Sequence, residues 1–191
     1  MALLENEDGY TIQGLQLQLE KAGIDLPQWG KGAAKTVAHL QQEIKAGETI
    51  LSADERGKLL RTVTVVGANI FYHSPDGKTF RLREERQVFA DGRERRRNLG
   101  HSVSEKMKPD ENPRDAMLRG IREELGITGE IELTEAGTDE QLLLSPSYPG
   151  LQSRYIRHDF DVVLNDEQFR PEGYIEEQLD KRTCFVWEEM I

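Results

Sequence analysis

This sequence predicts an α+β domain carrying an N-terminal helical extension, on three observations. A strongly capped helix sits near the middle of the chain, strand-like segments flank it on both sides, and the first 58 residues carry a helical period instead. The expected division is therefore an extension over residues 1–58 and a main domain over 59–191.

The extension reads as two short helices. Thr11 can cap the first, which puts Ile12, Leu15 and Leu19 on one face, and Gly23 can close it. Thr36 can cap the second, with Val37, Leu40 and Ile44 on one stripe and Gly47 as its stop. The connection DLPQWGKGAAK turns around Trp29. Its GKGAAKT is not a phosphate loop, because the spacing fails and no strand precedes it. Two such helices are too short to stand alone, so they are expected to pack on the following domain or on a second copy of the chain.

From residue 61 the period changes. RTVTVVGANIFY is β-branched and aromatic, SPDG is a turn, KTFRLREERQVF alternates, and ADGR is another turn, so residues 61–97 read as antiparallel strands. In ENPRDAMLRGIREELGI, Asn112 is a good N-cap, Pro113 fits the first helical position, and Gly126 supplies the stop. Helical spacing aligns Met117, Ile121 and Leu125 as the buried stripe. Strand-like IEL (131–133), QLLL (141–144), RYIRHDFDVVL (154–164) and TCFVW (183–187) follow, the last placing the lone Cys184 in a core strand.

Composition narrows the function. The chain has 191 residues, 37% hydrophobic and 31% charged, with formal net charge −10. That charge argues against a nucleic acid polymer or an anionic membrane as partner. No apolar run nears the roughly 18 residues of a membrane span. The acidic start MALLENEDGY lacks the regions of a signal peptide, and a cytoplasmic chain is expected. Residues 78–97 are nonetheless basic, eight bases against four acids, while residues 128–191 carry fifteen acids against five bases. A local basic stretch in an acidic chain suits a small anionic ligand.

The central helix ends in two adjacent carboxylates, Glu123 and Glu124, with Glu111 just before it. Carboxylates converging from a loop and a helix make a hard oxygen site of the type that binds Mg²⁺ or Mn²⁺ with substrate phosphates. An exposed acidic face with Arg119 paired to Glu123 at i,i+4 is the competing reading.

The spacing resembles the signature of the Nudix hydrolase family: Gly, five residues, Glu, seven residues, then Arg-Glu-U-x-Glu-Glu-x-Gly-U, with U a bulky aliphatic. Here it runs Glu105, Glu111, then Arg119-Gly120-Ile121-Arg122-Glu123-Glu124-Leu125-Gly126-Ile127, matching seven of nine specified positions without a gap. The resemblance covers roughly residues 60–191 and implies a mixed-sheet α/β/α sandwich. It further implies a pyrophosphohydrolase that cleaves a nucleoside diphosphate joined to another group. Glu123 and Glu124 would hold the metal, Glu111 would support them, and Arg119 would orient a glutamate.

Two positions depart from the signature. Glu105 stands where the family has glycine, and Gly120 stands where it has a glutamate that holds metal or serves as base. Glu105 could place a compensating carboxylate from the loop; the acidic loop around Asp139 and Glu140 is a second source of a base. Arg95 and Arg97 are candidate phosphate clamps. Tyr148 and Tyr155 could stack on a ligand or simply pack. Two functions remain open: an altered metal-dependent hydrolase, and a non-catalytic nucleotide-binding or regulatory module. Residues 11–46 present apolar stripes that need cover, from a second copy in a homodimer or from within one chain.

Overall fold

The structure, a computed structural model, describes residues 2–3, 11–97 and 99–190, the first two by backbone alone. The fold is α+β, as expected, and the chain divides into two compact units. The first takes residues up to Val65 with Lys106–Asp110 and Asp139–Arg157; the second takes Val66–Glu105, Glu111–Thr138 and the chain from His158.

In the first unit, β1 (Ala2–Leu3) precedes α1 (Ile12–Lys21), a 3₁₀ turn (Leu26–Gln28), α2 (Val37–Lys45), β2 (Ile50–Ala53) and the start of β3 (Leu59–His73). Both helices start on the expected caps: Thr11 accepts from the Gly14 amide, and Thr36 accepts from the His39 amide in a reciprocal capping box. β1 pairs antiparallel with β2, and β2 with β3, Ile50 facing Thr62. Leu15, Leu19 and Leu40 from the helices share a core with Trp29, Leu51, Leu59, Tyr148 and Leu151. Leu15, Leu19, Val37 and Leu40 of the two stripes are thus covered within the unit, while Ile12 stays exposed. Trp29 packs its ring 5.0 Å from that of Tyr148 and donates its indole N–H to the Pro149 carbonyl at 3.0 Å. Tyr148 is fully buried, so packing occupies its ring; Tyr155 is half-buried, and its hydroxyl accepts from Arg61 at 3.1 Å.

A charge cluster lies in the same unit. Glu43 is 6% exposed and receives Lys35 at 2.5 Å, Arg61 at 2.9 Å and Lys106 at 3.2 Å. Burial works against its ionisation, but hydrogen bonds from Lys35 and Arg61 and the charge of Lys106 prevail and lower its pKa to about 2.

The second unit holds the rest of β3, then β4 (Thr79–Phe89), β5 (Glu94–Arg95), most of β6 (Val103–Lys106), α3 (Pro113–Leu125), β9 (Tyr174–Glu177) and β10 (Lys181–Met190). β7 (Leu133–Leu144) and β8 (Gln152–Leu164) contribute residues to both units. β3 and β4 form the expected hairpin, Phe71 facing Arg81, and strands follow in the order β3-β4-β10-β9 with antiparallel partners. A register shift in the β4–β10 ladder, with Cys184 facing Arg86 and Phe185 facing Glu84, leaves Glu85 as the extra residue. Strict alternation would bury Leu82, Glu84 and Arg86. The bulge resets it, so Leu82, Glu84 and Gln87 are the buried ones.

Three expectations need correction. Residues 131–133 and 141–144 are not two short strands around an acidic loop: β7 runs unbroken through Asp139 and Glu140. Cross-strand partners on β8 explain it, Arg154 meeting Glu140 at 2.7 Å and Arg157 meeting Asp139 at 3.9 Å. Glu105 lies on β6, not on a loop. Arg97 lies beyond β5, which ends at Arg95. No helix among the described residues is long and apolar enough to cross a membrane.

Gly173 is required where the chain enters β9. Its φ is +82°, and a Cβ there would stand 2.0 Å from the Phe185 carbonyl oxygen. Gly173→Ala is expected to cost more than about 2 kcal/mol, read as a lower denaturant midpoint at unchanged m-value.

Candidate active site

The helix that ends in the paired glutamates is fixed at both ends. Asn112 accepts the Asp115 amide at 2.9 Å, Pro113 opens the first turn, and Gly126 closes it at φ 65°. With Ala116, Met117, Gly120, Ile121 and Leu125 buried, the remaining faces carry Arg119, Glu123 and Glu124.

Arg119 gathers three carboxylates. Its Nε and Nη2 hold Glu111 in a fork at 2.9 and 3.1 Å, while Nη1 lies 3.3 Å from both Glu123 and Glu105. The hydrogen bond to Glu111 and the charges of Glu105, Glu111 and Glu123 raise the guanidinium pKa above its usual value, against the cost of burial.

Beside this hub lies a cavity of about 370 Å³. Glu84 and Gln87 of β4, Ser104 and Glu105 of β6, Glu123 and Glu124 of α3, Glu176 of β9 and Thr183 of β10 line it, with Arg97 and Lys181 as its bases. Arg97 is held by Glu84, to which it donates from Nε at 2.8 Å and also from Nη2. That hydrogen bond, opposed by burial, raises the Arg97 pKa. Glu124 faces the opposite imbalance. Burial first, then the charges of Glu176, Glu105 and Glu84, push its pKa up to about 8, against the pull of Arg97.

The structure therefore brings Glu105, Glu123, Glu124 and Arg97 to one cavity. Glu111 and Arg119 are not among its lining residues and act from beside it, through the ion pairs to Glu105 and Glu123. Arg95 is turned to Gln87, its cross-strand neighbour, at 2.6 Å. Glu84 and Glu176 went unread in the sequence. Alternation with buried Leu82 could have pointed to Glu84; YIEE offers no comparable signal for Glu176.

Among the described residues, no group of three or more His, Cys, Asp or Glu stands ready to hold a metal ion. The donor chemistry nevertheless suits a hard cation. Five carboxylates line one small cavity, the oxygen-rich donor set that a hard divalent ion takes. Mg²⁺ commonly takes only one or two carboxylates and completes its shell with waters and substrate phosphates.

No family model matches the chain, and no curated protein matches it. Solved structures do. The chain is similar to the E. coli dihydroneopterin triphosphate pyrophosphohydrolase at 16% identity and TM-score 0.41, covering 65% of this chain and 78% of that one. It is similar to the NUDIX domain of Shewanella oneidensis NrtR complexed with ADP ribose, at 10% identity and TM-score 0.41, over 66% and 71%. A Nudix hydrolase of M. smegmatis, RenU, is similar at 15% identity and TM-score 0.35, over 70% and 78%.

Proposed function

We propose that the chain is a metal-dependent hydrolase of nucleoside diphosphate-linked compounds, acting in the second unit's cavity. The observation that carries this reading is the convergence of Glu84, Glu105, Glu123, Glu124 and Glu176 on one cavity at the end of the helix that bears the signature. Glu123 and Glu124 would hold Mg²⁺ or Mn²⁺. When bound, the ion supplies positive charge to phosphate oxygens and acidifies a water. Glu111 and Arg119 keep the donors in place, because the Arg119 fork leaves Glu111 little freedom and ties Glu123 to it. Arg97, already directed at the cavity, is the phosphate clamp. A carboxylate base there would contribute about 10²–10⁴-fold.

A second reading, a nucleotide-binding module without turnover, is favoured by the engagement of Glu105, Glu111 and Glu123 with a single arginine. One assay separates the two. ADP-ribose, dinucleoside polyphosphates, NADH and nucleoside triphosphates are incubated with the protein and Mg²⁺ or Mn²⁺, and phosphate or nucleotide release is followed. Metal-dependent release from one diphosphate-linked compound is the expected result. Binding without release from any of them would favour the module and end the hydrolase reading.

A further inference from the structure

Gly120 sits inside α3 in ordinary helical conformation, so no turn or positive φ calls for it. Against alanine it costs the helix about 1 kcal/mol. The reason for it lies on β6. A Cβ at Gly120 would stand 3.1 Å from Glu105 Cβ, 3.6 Å from Glu105 Cγ and 3.5 Å from Met117 Cε. The first contact is tighter than side chains ordinarily make, and it is with a stem carbon that the strand holds in place. A side chain at position 120 would push the Glu105 stem aside by a few tenths of an ångström.

The stem leads to a carboxylate that serves the cavity. Glu105 lines it and reaches Arg119 Nη1 at 3.3 Å. A separate observation points to a ligand in the same place. Thr183, 2% exposed and also lining the cavity, has a buried hydroxyl with no hydrogen-bond partner.

We infer that Glu105 and Gly120 are one exchanged pair, in which the strand supplies the cavity with the carboxylate that the helix lacks at position 120, as an oxygen donor to a divalent cation. The inference rests on the proposed metal-dependent site and deepens it. It also accounts for both departures from the signature by one contact, since stems from both elements would crowd each other there.

Mn²⁺ binding without nucleotide, followed by calorimetry together with the melting temperature, tests the pair. Glu105→Gln keeps the shape and removes the charge. It is expected to weaken Mn²⁺ binding by about tenfold or more at nearly unchanged melting temperature. Gly120→Glu alone, crowding Glu105, is expected to melt lower. The double exchange Glu105→Gly with Gly120→Glu is expected to recover the melting temperature of wild type and its Mn²⁺ affinity to within about threefold.

A purely structural Glu105 would leave Mn²⁺ affinity unmoved in Glu105→Gln, which would overturn the inference while leaving the hydrolase reading to the turnover assay. A folded double variant that binds Mn²⁺ no better than Glu105→Gln would overturn it as well. Absence of Mn²⁺ binding by the wild-type chain would overturn both. Mn²⁺ binding that depends on Glu105, with no turnover of any diphosphate-linked compound, would support the pair and end only the hydrolase reading.

Discussion

Glu124→Gln is expected to bind Mn²⁺ between about tenfold and a hundredfold more weakly than wild type, and to melt no lower. The two effects have one origin. Glu124 shares a cavity of about 370 Å³ with Glu84, Glu105, Glu123 and Glu176, against Arg97 and Lys181. A neutral amide of the same size removes part of that mutual repulsion, which spares stability, and removes an anionic oxygen donor, which weakens the metal. Calorimetric titration and thermal melting of the one variant read both. An unchanged Mn²⁺ affinity would remove Glu124 from the ligand set.

Glu43→Gln is expected to cost about 3–5 kcal/mol of stability, because it leaves Arg61, Lys35 and Lys106 around a site that no longer carries charge. Arg61 is the critical partner, with its side chain only 4% exposed. The pH dependence has a definite sign. Glu43 has its pKa lowered from 4.5 to about 2, so its contribution is complete above pH 4.5 and is lost as the pH falls toward 2. A shift of that size corresponds to about 3 kcal/mol. Denaturant titrations between pH 2 and 7 should therefore show a steep acid limb in wild type and a flatter one in Glu43→Gln. Equal limbs would show that the cluster does not stabilise the first unit.

What could be read in advance was mostly local. The caps Thr11, Thr36 and Asn112 and the closing Gly126 each act within a few residues, and all took the expected roles. The SPDG hairpin was equally visible, since turn residues and flanking alternation occupy one continuous stretch. Less visible were elements whose pairing partners lie far along the chain. VSEK and YIEE are four-residue strands with little apolar pattern, yet they carry Glu105 and Glu176 into the cavity. Asp139 and Glu140 read as a loop because their arginine partners stand fourteen or more residues away, on β8.

The site shows the same division. Glu123, Glu124, Glu111 and Arg119 follow from helical spacing and the adjoining cap, and Arg119 joins Glu111 and Glu123 as that spacing permits. The burial of both Glu84 and Gln87 depends on a bulge that only the β10 register creates. Gly120 could be seen as an irregularity in the helix; that Glu105 lies against it requires the strand to be in place.

The central claim is that a divalent cation binds at the end of α3, among Glu105, Glu123 and Glu124. Paramagnetic line broadening tests it most directly: a ¹⁵N-labelled chain is titrated with substoichiometric Mn²⁺ and the amide signals are followed residue by residue. The account predicts that broadening begins at the amides around residues 105, 123–124 and 176 and fades with distance from them. Broadening that begins at Asp139 and Glu140, or that spreads evenly over the acidic surface, would contradict it.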